Sequence, residues 1–304
     1  MASTRKLSSK ERVDRALAGA DVDRPPFTLW HHFHLEKLPA ERHAQATIEF
    51  HRKFRTDLVK VMSDFPYPKP EGGIGSMKVE ANPFPEQIRA LEIIRDTVGR
   101  NAYILETIFN PYNQLRKTFS KEEMRRLIDE KPQAALGALE IVAESEANHA
   151  RRALEAGAAG IFLAIDNALE GVLTREEYAK FSEPFDRMVL AAASGAKLNI
   201  LHLHGDKVYL DRFWQGWPGA AGISYESHLT HVPLAEARRQ FSGVLMGGID
   251  EVNYRKLTEA EIRQQWKAAQ EAAGKKFILA PGCSVPDDSA DEELIRMARV
   301  VGAA

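Results

Sequence analysis

From Phe27 onward, short apolar runs alternate with longer segments whose apolar residues recur every three or four positions. The runs Phe27–Trp30, Leu58–Ser63, Ala102–Glu106, Gly160–Ala164, Leu198–Leu203, Gly222–Tyr225, Val244–Gly247 and Phe277–Ala280 have strand length and predict eight strands. The longer segments predict helices over His43–Phe54, Gln87–Val98, Lys121–Gly157 with a break at Pro132, Arg175–Ser194, Tyr209–Gln215, Leu234–Phe241, Glu259–Ala273 and Asp291–Val300. Gly157, Gly195, Gly243 and Gly274 each fall between a helical segment and the next strand, where a helix C-terminus favours glycine. An extra helix, Ser8–Ala18, opens the chain. Ser8 and Glu11 have capping-box spacing, Val13 and Leu17 share a face, and Gly19 ends the helix before Arg24-Pro25-Pro26 forces an extended backbone.

Strictly alternating strands and helices imply an α/β fold with a parallel sheet and right-handed crossovers. Eight such units imply closure into a (β/α)8 TIM barrel with an extra N-terminal helix, formed by residues 1–304 as a single domain. An open doubly wound sheet is the competing architecture, and no Gly-x-Gly-x-x-Gly run follows any of the strands to support it. Residues 65–85, rich in Pro and Gly, read as a long loop over the barrel mouth.

Charge narrows the functional class. The 41 Lys and Arg nearly balance the 43 Asp and Glu, for a net charge of -2, so neither nucleic acid nor a membrane surface is expected as a partner. No apolar run approaches the ~20 residues of a membrane span. Residues Met1–Lys10 are polar, and the single cysteine, Cys283, allows no intrachain disulfide. These features lead us to expect a cytoplasmic enzyme acting on a small molecule.

In a barrel, chemistry gathers at the C-terminal ends of the strands. Those ends carry Trp30, His31, His32 and His34, then Ser63 and Asp64, Glu106 and Asn110, Asp166 and Asn167, His202 and His204, Tyr225, Glu226 and His228, Asp250, and Cys283. His202 and His204 are two apart on a strand and therefore share a face. Closure of the barrel would bring Cys283 toward them, and two imidazoles with one thiolate suit a catalytic zinc site that keeps a position open. On the residues alone, ordinary packing roles for the His-x-His pair and the lone cysteine stay open. Asp64, Glu226 and His34 are the candidate acid–base or orienting groups, and Trp30, Asn110, Asp166, Tyr225 and Asp250 the candidate substrate contacts. For Asp64, Glu226 and Asp250 a capping role is the competing reading.

The chain also resembles the superfamily of uroporphyrinogen decarboxylases and cobalamin-dependent methyltransferases. The likeness runs from Glu11-Arg12-Val13 through Asp23-Arg24-Pro25-Pro26, Ser63-Asp64, Glu155-Ala156-Gly157-Ala158 and Gly247-Gly248-Ile249-Asp250 to Pro281-Gly282-Cys283. The resemblance implies a (β/α)8 barrel. True decarboxylases of the superfamily carry arginines after the first strand to bind a polycarboxylate porphyrinogen. Here that loop reads Trp30-His31-His32-Phe33-His34-Leu35, with no arginine before Arg42, which disfavours that substrate. Pro281-Gly282-Cys283-Ser284 likewise stands where decarboxylases resemble Leu-Gly-His-Gly. Methyltransferases of the superfamily bind zinc through His-x-Cys and a later Cys. His202-Leu203-His204 matches with His204 in place of the cysteine, and Cys283 matches the later ligand.

The resemblance therefore implies a zinc-dependent methyltransferase moving a methyl group between a corrinoid and a small acceptor. The methylcobalamin would be a dissociable or partner-borne co-substrate, since no cobalamin-binding segment is recognisable here. A separate corrinoid protein and a homodimer would fit the superfamily as partners. The alternatives are a decarboxylase or lyase acting on a small aromatic or heterocyclic acid, or on a porphyrinogen, and a non-catalytic binding barrel.

Overall fold

The structure is a computed structural model that describes residues 6–63 and 65–303. Asp64 therefore lies outside the described residues. Seven parallel strands form one sheet in chain order: β1 (Leu58–Val61), β2 (Tyr103–Phe109), β3 (Gly160–Ile165), β4 (Ile200–Leu203), β5 (Gly222–Tyr225), β6 (Val244–Ile249) and β7 (Phe277–Pro281). The helices are α1 (Ser9–Ala18), α2 (Ala40–Phe54), α3 (Pro85–Val98), α4 (Pro111–Thr118), α5 (Lys121–Glu130), α6 (Pro132–Glu155), α7 (Arg175–Phe181), α8 (Glu183–Ala192), α9 (Leu234–Gln240), α10 (Glu259–Ala273) and α11 (Asp291–Val301).

Seven of the eight expected strands are present. The expected first strand, Phe27–Trp30, is reduced to a single parallel bridge between Phe27 and Leu279. The reason is chemical: Pro25 and Pro26 carry no N–H to donate to a ladder. The segment still touches both edges of the sheet. The amide of Thr28 donates to Leu279, that of Leu279 to Pro26, and that of Asp57, just before β1, to Phe27. The sheet is therefore curled, with its two edge strands meeting the same short piece of backbone.

Side-chain alternation divides the core into an inner and an outer layer. Leu58, Leu105, Phe162, Ile200, Met246, Ile278 and Ala280 pack together with Trp30 and with Val13 of α1. The alternate residues, among them Leu163, Leu201, Leu203, Tyr225, Leu245 and Leu279, pack outward against the helices. Helix α1 thus lies against the inner cluster, and its capping box forms as its sequence predicts.

Three helical expectations change. The chain between Glu106 and Lys121 forms α4, capped by the Asn110 side chain with Pro111 at the first helical position. Arg175–Ser194 is broken at Ser182, ahead of Pro184, where the backbone leaves the helical region. Tyr209–Gln215 contains only a single 3₁₀ turn, Leu210–Arg212. The break before Pro132 appears as expected.

One buried ionic knot fixes the start of the curled sheet. Asp57 receives Arg12 Nη1 at 2.6 Å, and its other carboxylate oxygen accepts the Phe27 amide at 2.9 Å and pairs with Arg24. Arg12 also holds Asp23, at 2.7 Å, which keeps the Asp23 carboxyl down near about 2 in spite of partial burial. Because the Asp57 side chain is 1% exposed, deleting it removes one of the two carboxylates on the buried Arg12 and the carboxylate on Arg24. Asp57→Ala is expected to cost about 3 to 5 kcal/mol of unfolding free energy, read by equilibrium urea denaturation. A loss below about 1 kcal/mol would show that the knot does not hold the fold.

Candidate functional site

Strand β4 presents His202 to the inner face, where its ring stacks on Phe162 at 4.9 Å between centroids and meets the edge of Trp30 at 6.4 Å. The neighbouring strand places Ser224 opposite His202, with Oγ 3.3 Å from Nδ1. At 4% exposure the imidazole is shut off from water. Its pKa is held well below the ordinary histidine value, first by burial and then by the charges of His204 and Lys60. His202 is therefore neutral, the form that can act as a metal ligand.

His204 lies where β4 ends and is half exposed. Its Nδ1 is 2.8 Å from Glu226 Oε1 at the end of β5, which leaves Nε2 as the available ring nitrogen. Hydrogen bonds to Cys283 and Glu226 push the pKa of His204 up to about 11, outweighing its burial. Burial alone would raise the Glu226 carboxyl, but hydrogen bonds from His204 and the Gly205 amide (2.9 Å) bring it below the usual glutamate value.

Cys283 lies on the loop after β7. The ligand atoms of His202, His204 and Cys283 all lie within 4.8 Å of one another. Gly282 sets that approach. A Cβ there would sit 2.7 Å from Glu226 Cα and 3.0 Å from Glu251 Oε2, so only glycine passes. Its amide donates to Glu251 Oε2 at 2.9 Å. Burial and the charge of Glu226 push the Glu251 carboxyl up to about 7, and Glu251 shares a hydrogen bond with Glu226. The donor set fits a divalent ion of intermediate softness: a neutral imidazole, a second imidazole oriented by a carboxylate, and a thiol.

Two other expected residues stand beside this cluster. Trp30 lies under His202, and Asp166, just beyond β3, is within electrostatic reach of His204. Asp166 is ion-paired with Arg116 of α4, while its Oδ1 is buried without a hydrogen-bond partner. Burial lifts its carboxyl above the usual aspartate value in spite of Arg116. A groove of about 760 Å³ lies between the loops following β3, β4 and β5, lined by Asp206 and Tyr209 among others and by none of His202, His204, Glu226 or Cys283.

The remaining candidates are engaged elsewhere. Asn110 caps α4 and donates to Asn167, Ser182 and Asp186 in a buried network, so its amide does not face the mouth. Tyr225 faces the outer layer, where its hydroxyl donates to the Val232 carbonyl at 3.0 Å, because strand alternation turns it away from His202 and Ser224. Asp250 accepts the amides of Val252 and Asn253, the capping role read as its alternative. His34 is exposed, in a left-handed backbone conformation, with Nε2 2.6 Å from Asp287. Glu106 points outward, to His149 at 2.9 Å and Gln87 at 3.0 Å.

Sequence reasoning passed over Lys60, Arg116 and Glu251. Lys60 is buried, with its ammonium 4.6 Å from the Phe162 ring centroid and 5.2 Å from that of Trp30. Its signal was visible: a cation inside the apolar run Leu58–Met62. Glu251 was overshadowed by the preceding Asp250, and Arg116 sits on the helix that the strand-and-helix pattern did not reveal.

Comparisons with known proteins place these features. A structure described as a methyltransferase from Methanosarcina mazei superposes with a TM-score of 0.81 at 18% identity, covering 97% of this chain and 98% of that one. A B12-independent methionine synthase from Shewanella sp. W3-18-1 gives 0.59 at 14% identity, with 92% of each chain covered. The putative vitamin-B12 independent methionine synthase from Listeria monocytogenes gives 0.53 at 11% identity, with 86% of each covered. At these identities the likeness is one of fold. No curated protein matches the chain in sequence. The family model described as uroporphyrinogen decarboxylase (URO-D) matches residues 74–303, most of the chain and all seven strands but β1, and the chain belongs to that family.

Proposed function

We propose that this protein is a methyltransferase that holds a zinc ion through His202, His204 and Cys283 and exchanges a methyl group between a corrinoid and a small acceptor. The observation that carries the reading is the convergence of three ligand atoms within 4.8 Å from two strand ends on different sides of the curled sheet. Structural neighbours described as a methyltransferase and as methionine synthases favour methyl transfer over decarboxylation. The two synthases are B12-independent by description, so the corrinoid, delivered from outside the chain, rests on the sequence resemblance. We further read residues 1–304 as one (β/α)8 domain in which Pro26–Thr28 serves as the first strand, and a homodimer as its assembly.

Zinc, when bound, would lower the pKa of an acceptor thiol or water at this site. The protein's own groups do the rest. Glu226 orients His204 and offsets its charge, and the Glu251 carboxyl secures Glu226 and the Gly282 amide. Trp30 and Phe162 wall His202 from water. Asp166, anchored by Arg116, offers a hydrogen-bond acceptor to the substrate. Asp64 keeps the proton-handling role that the sequence assigns it, whereas His34 is committed to Asp287.

Metal content decides the reading. Purified protein is expected to carry about one zinc per chain, lost in both His202→Ala and Cys283→Ala, as read by inductively coupled plasma mass spectrometry. Protein purified without chelator that holds no stoichiometric metal would sink the proposal and favour a carboxy-lyase on a small aromatic acid.

Zinc binding should also release a proton from His204, whose pKa of about 11 leaves it charged in the metal-free protein at neutral pH. Because the metal competes with that proton and with the proton of the Cys283 thiol, affinity should rise at least about tenfold per pH unit between roughly pH 7 and 9, measured by chelator competition. Glu226→Gln is expected to weaken zinc binding about 10- to 100-fold and to flatten this pH dependence. An affinity independent of pH would show that His204 is not a ligand.

A further inference from the structure

Between β2 and the helices that cover it lies a polar cluster that the site does not use. Glu106 on β2, Gln87 on α3, and Glu146 and His149 on α6 are all fully buried. Glu106 is well served: His149 Nε2 lies 2.9 Å from one carboxylate oxygen, and Gln87 Nε2 donates to the other at 3.0 Å. Glu146, one helical turn before His149, accepts from Gln114 of α4 at 2.8 Å through Oε1. Among the described residues its Oε2 has no hydrogen-bond partner, and neither has Nδ1 of His149.

Two buried carboxylates beside one imidazole are costly to ionise together, and the less well paired of them is the one to take up a proton. Among the described residues, Glu146 is faced by His149 on its own helix, Gln114 and Lys117 of α4, Glu106 of β2 and Tyr67 of the loop after β1. On the α8 side the carboxyl of Asp186 is taken up by Asn110, Ser182 and Tyr178. Burial, joined by Glu106, outweighs His149, Gln114 and Lys117 and pushes the Glu146 carboxyl up to about 7. The two unpartnered atoms are complementary once a proton is added. With Nε2 donating to Glu106, Nδ1 is an acceptor, and a protonated Glu146 supplies the missing O–H, directly or across one water. One proton then ties α6 to β2 through His149, while Gln114 ties it to α4, the helix whose Arg116 pairs with Asp166 at the mouth.

We propose that Glu146 and His149 hold a shared proton, which makes the junction of α6 with β2 and α4 a pH-sensitive lock that tightens in mild acid and loosens above neutrality. The lock is independent of any metal at the mouth. An unfolded glutamate loses its proton near 4.5, whereas folded Glu146 keeps it to about 7. The stabilisation is therefore complete below the unfolded value and is lost as pH rises to about 7.

Urea denaturation of the full chain at pH values from about 5 to 8 tests the lock, with wild type compared against Glu146→Gln, which keeps the volume and cannot ionise. Both chains share every other titrating group, Asp186 and Glu251 included, so the ratio of their unfolding equilibrium constants isolates Glu146. That ratio, wild type over variant, is expected to grow roughly 10- to 100-fold from pH 5 to 8. A ratio constant within about twofold would overturn the proposal. Glu146→Met supplies the same comparison should the glutamine variant not fold. Nitrogen-15 NMR locates the proton: the Nδ1 signal of His149 should shift with a midpoint at about pH 7 in wild type and stay fixed in Glu146→Gln. A midpoint that persists in the variant would assign the titration to the imidazole alone and refute the sharing.

Discussion

Everything at the mouth depends on the two edges of a parallel sheet being brought to one piece of backbone. A flat sheet in the order β1 to β7 would leave β4 and β7 separated by two intervening strands and Cys283 remote from the histidines. Curling the sheet onto the Pro26–Thr28 segment turns its inner face in on itself, and residues three strands apart then face one another. The clip is electrostatic at its base. Asp57, beneath β1, gathers Arg12 from α1, Arg24 from the linker and the Phe27 amide, so three separate pieces of chain meet at one carboxylate. The stabilising knot and the chemical cluster occupy opposite ends of the strands, which lets each be built without compromise to the other.

Much of this was legible in the chain because its information is periodic. Seven strands, α1, α2, α3, α10 and α11 follow from apolar spacing and caps, and the shared face of His202 and His204 follows from a period of two. What escaped was not periodic. Pro25 and Pro26 fill a strand position without supplying strand hydrogen bonds. Helix α4 begins at Asn110-Pro111, a strong start signal in a stretch to which the strand-and-helix pattern assigned no element. Tyr225 is turned away from the histidines for a related reason. Position along a strand tells how near a residue lies to the mouth, whereas the side it faces depends on register, and one step of register sends Tyr225 into the helix layer. The proximity of Cys283 to the histidines depends on the curl, which no local pattern encodes.

The site also shows how a buried polar assembly is made tolerable. Each charged group near the histidines has a compensating neighbour: Glu226 for His204, Arg116 for Asp166, aromatic faces for Lys60. Glu251 meets the problem differently, because a carboxyl pushed up to about 7 spends part of its time protonated and can then donate to Glu226. Such an arrangement is pre-organised, since the orientation of His204 is set before any ligand arrives.

The lone cysteine, proposed above as a ligand, also brings a liability. Once a thiol is oxidised to a sulfenic acid, a second thiol can capture it as a disulfide and so make the damage reversible. This chain has one cysteine, partly exposed, and hence no internal partner for that rescue. Over-oxidation of Cys283 would therefore proceed to irreversible acids unless a small thiol or a bound cation intervened first. The residue that completes the cluster is thus also where the protein is most vulnerable to oxidative ageing.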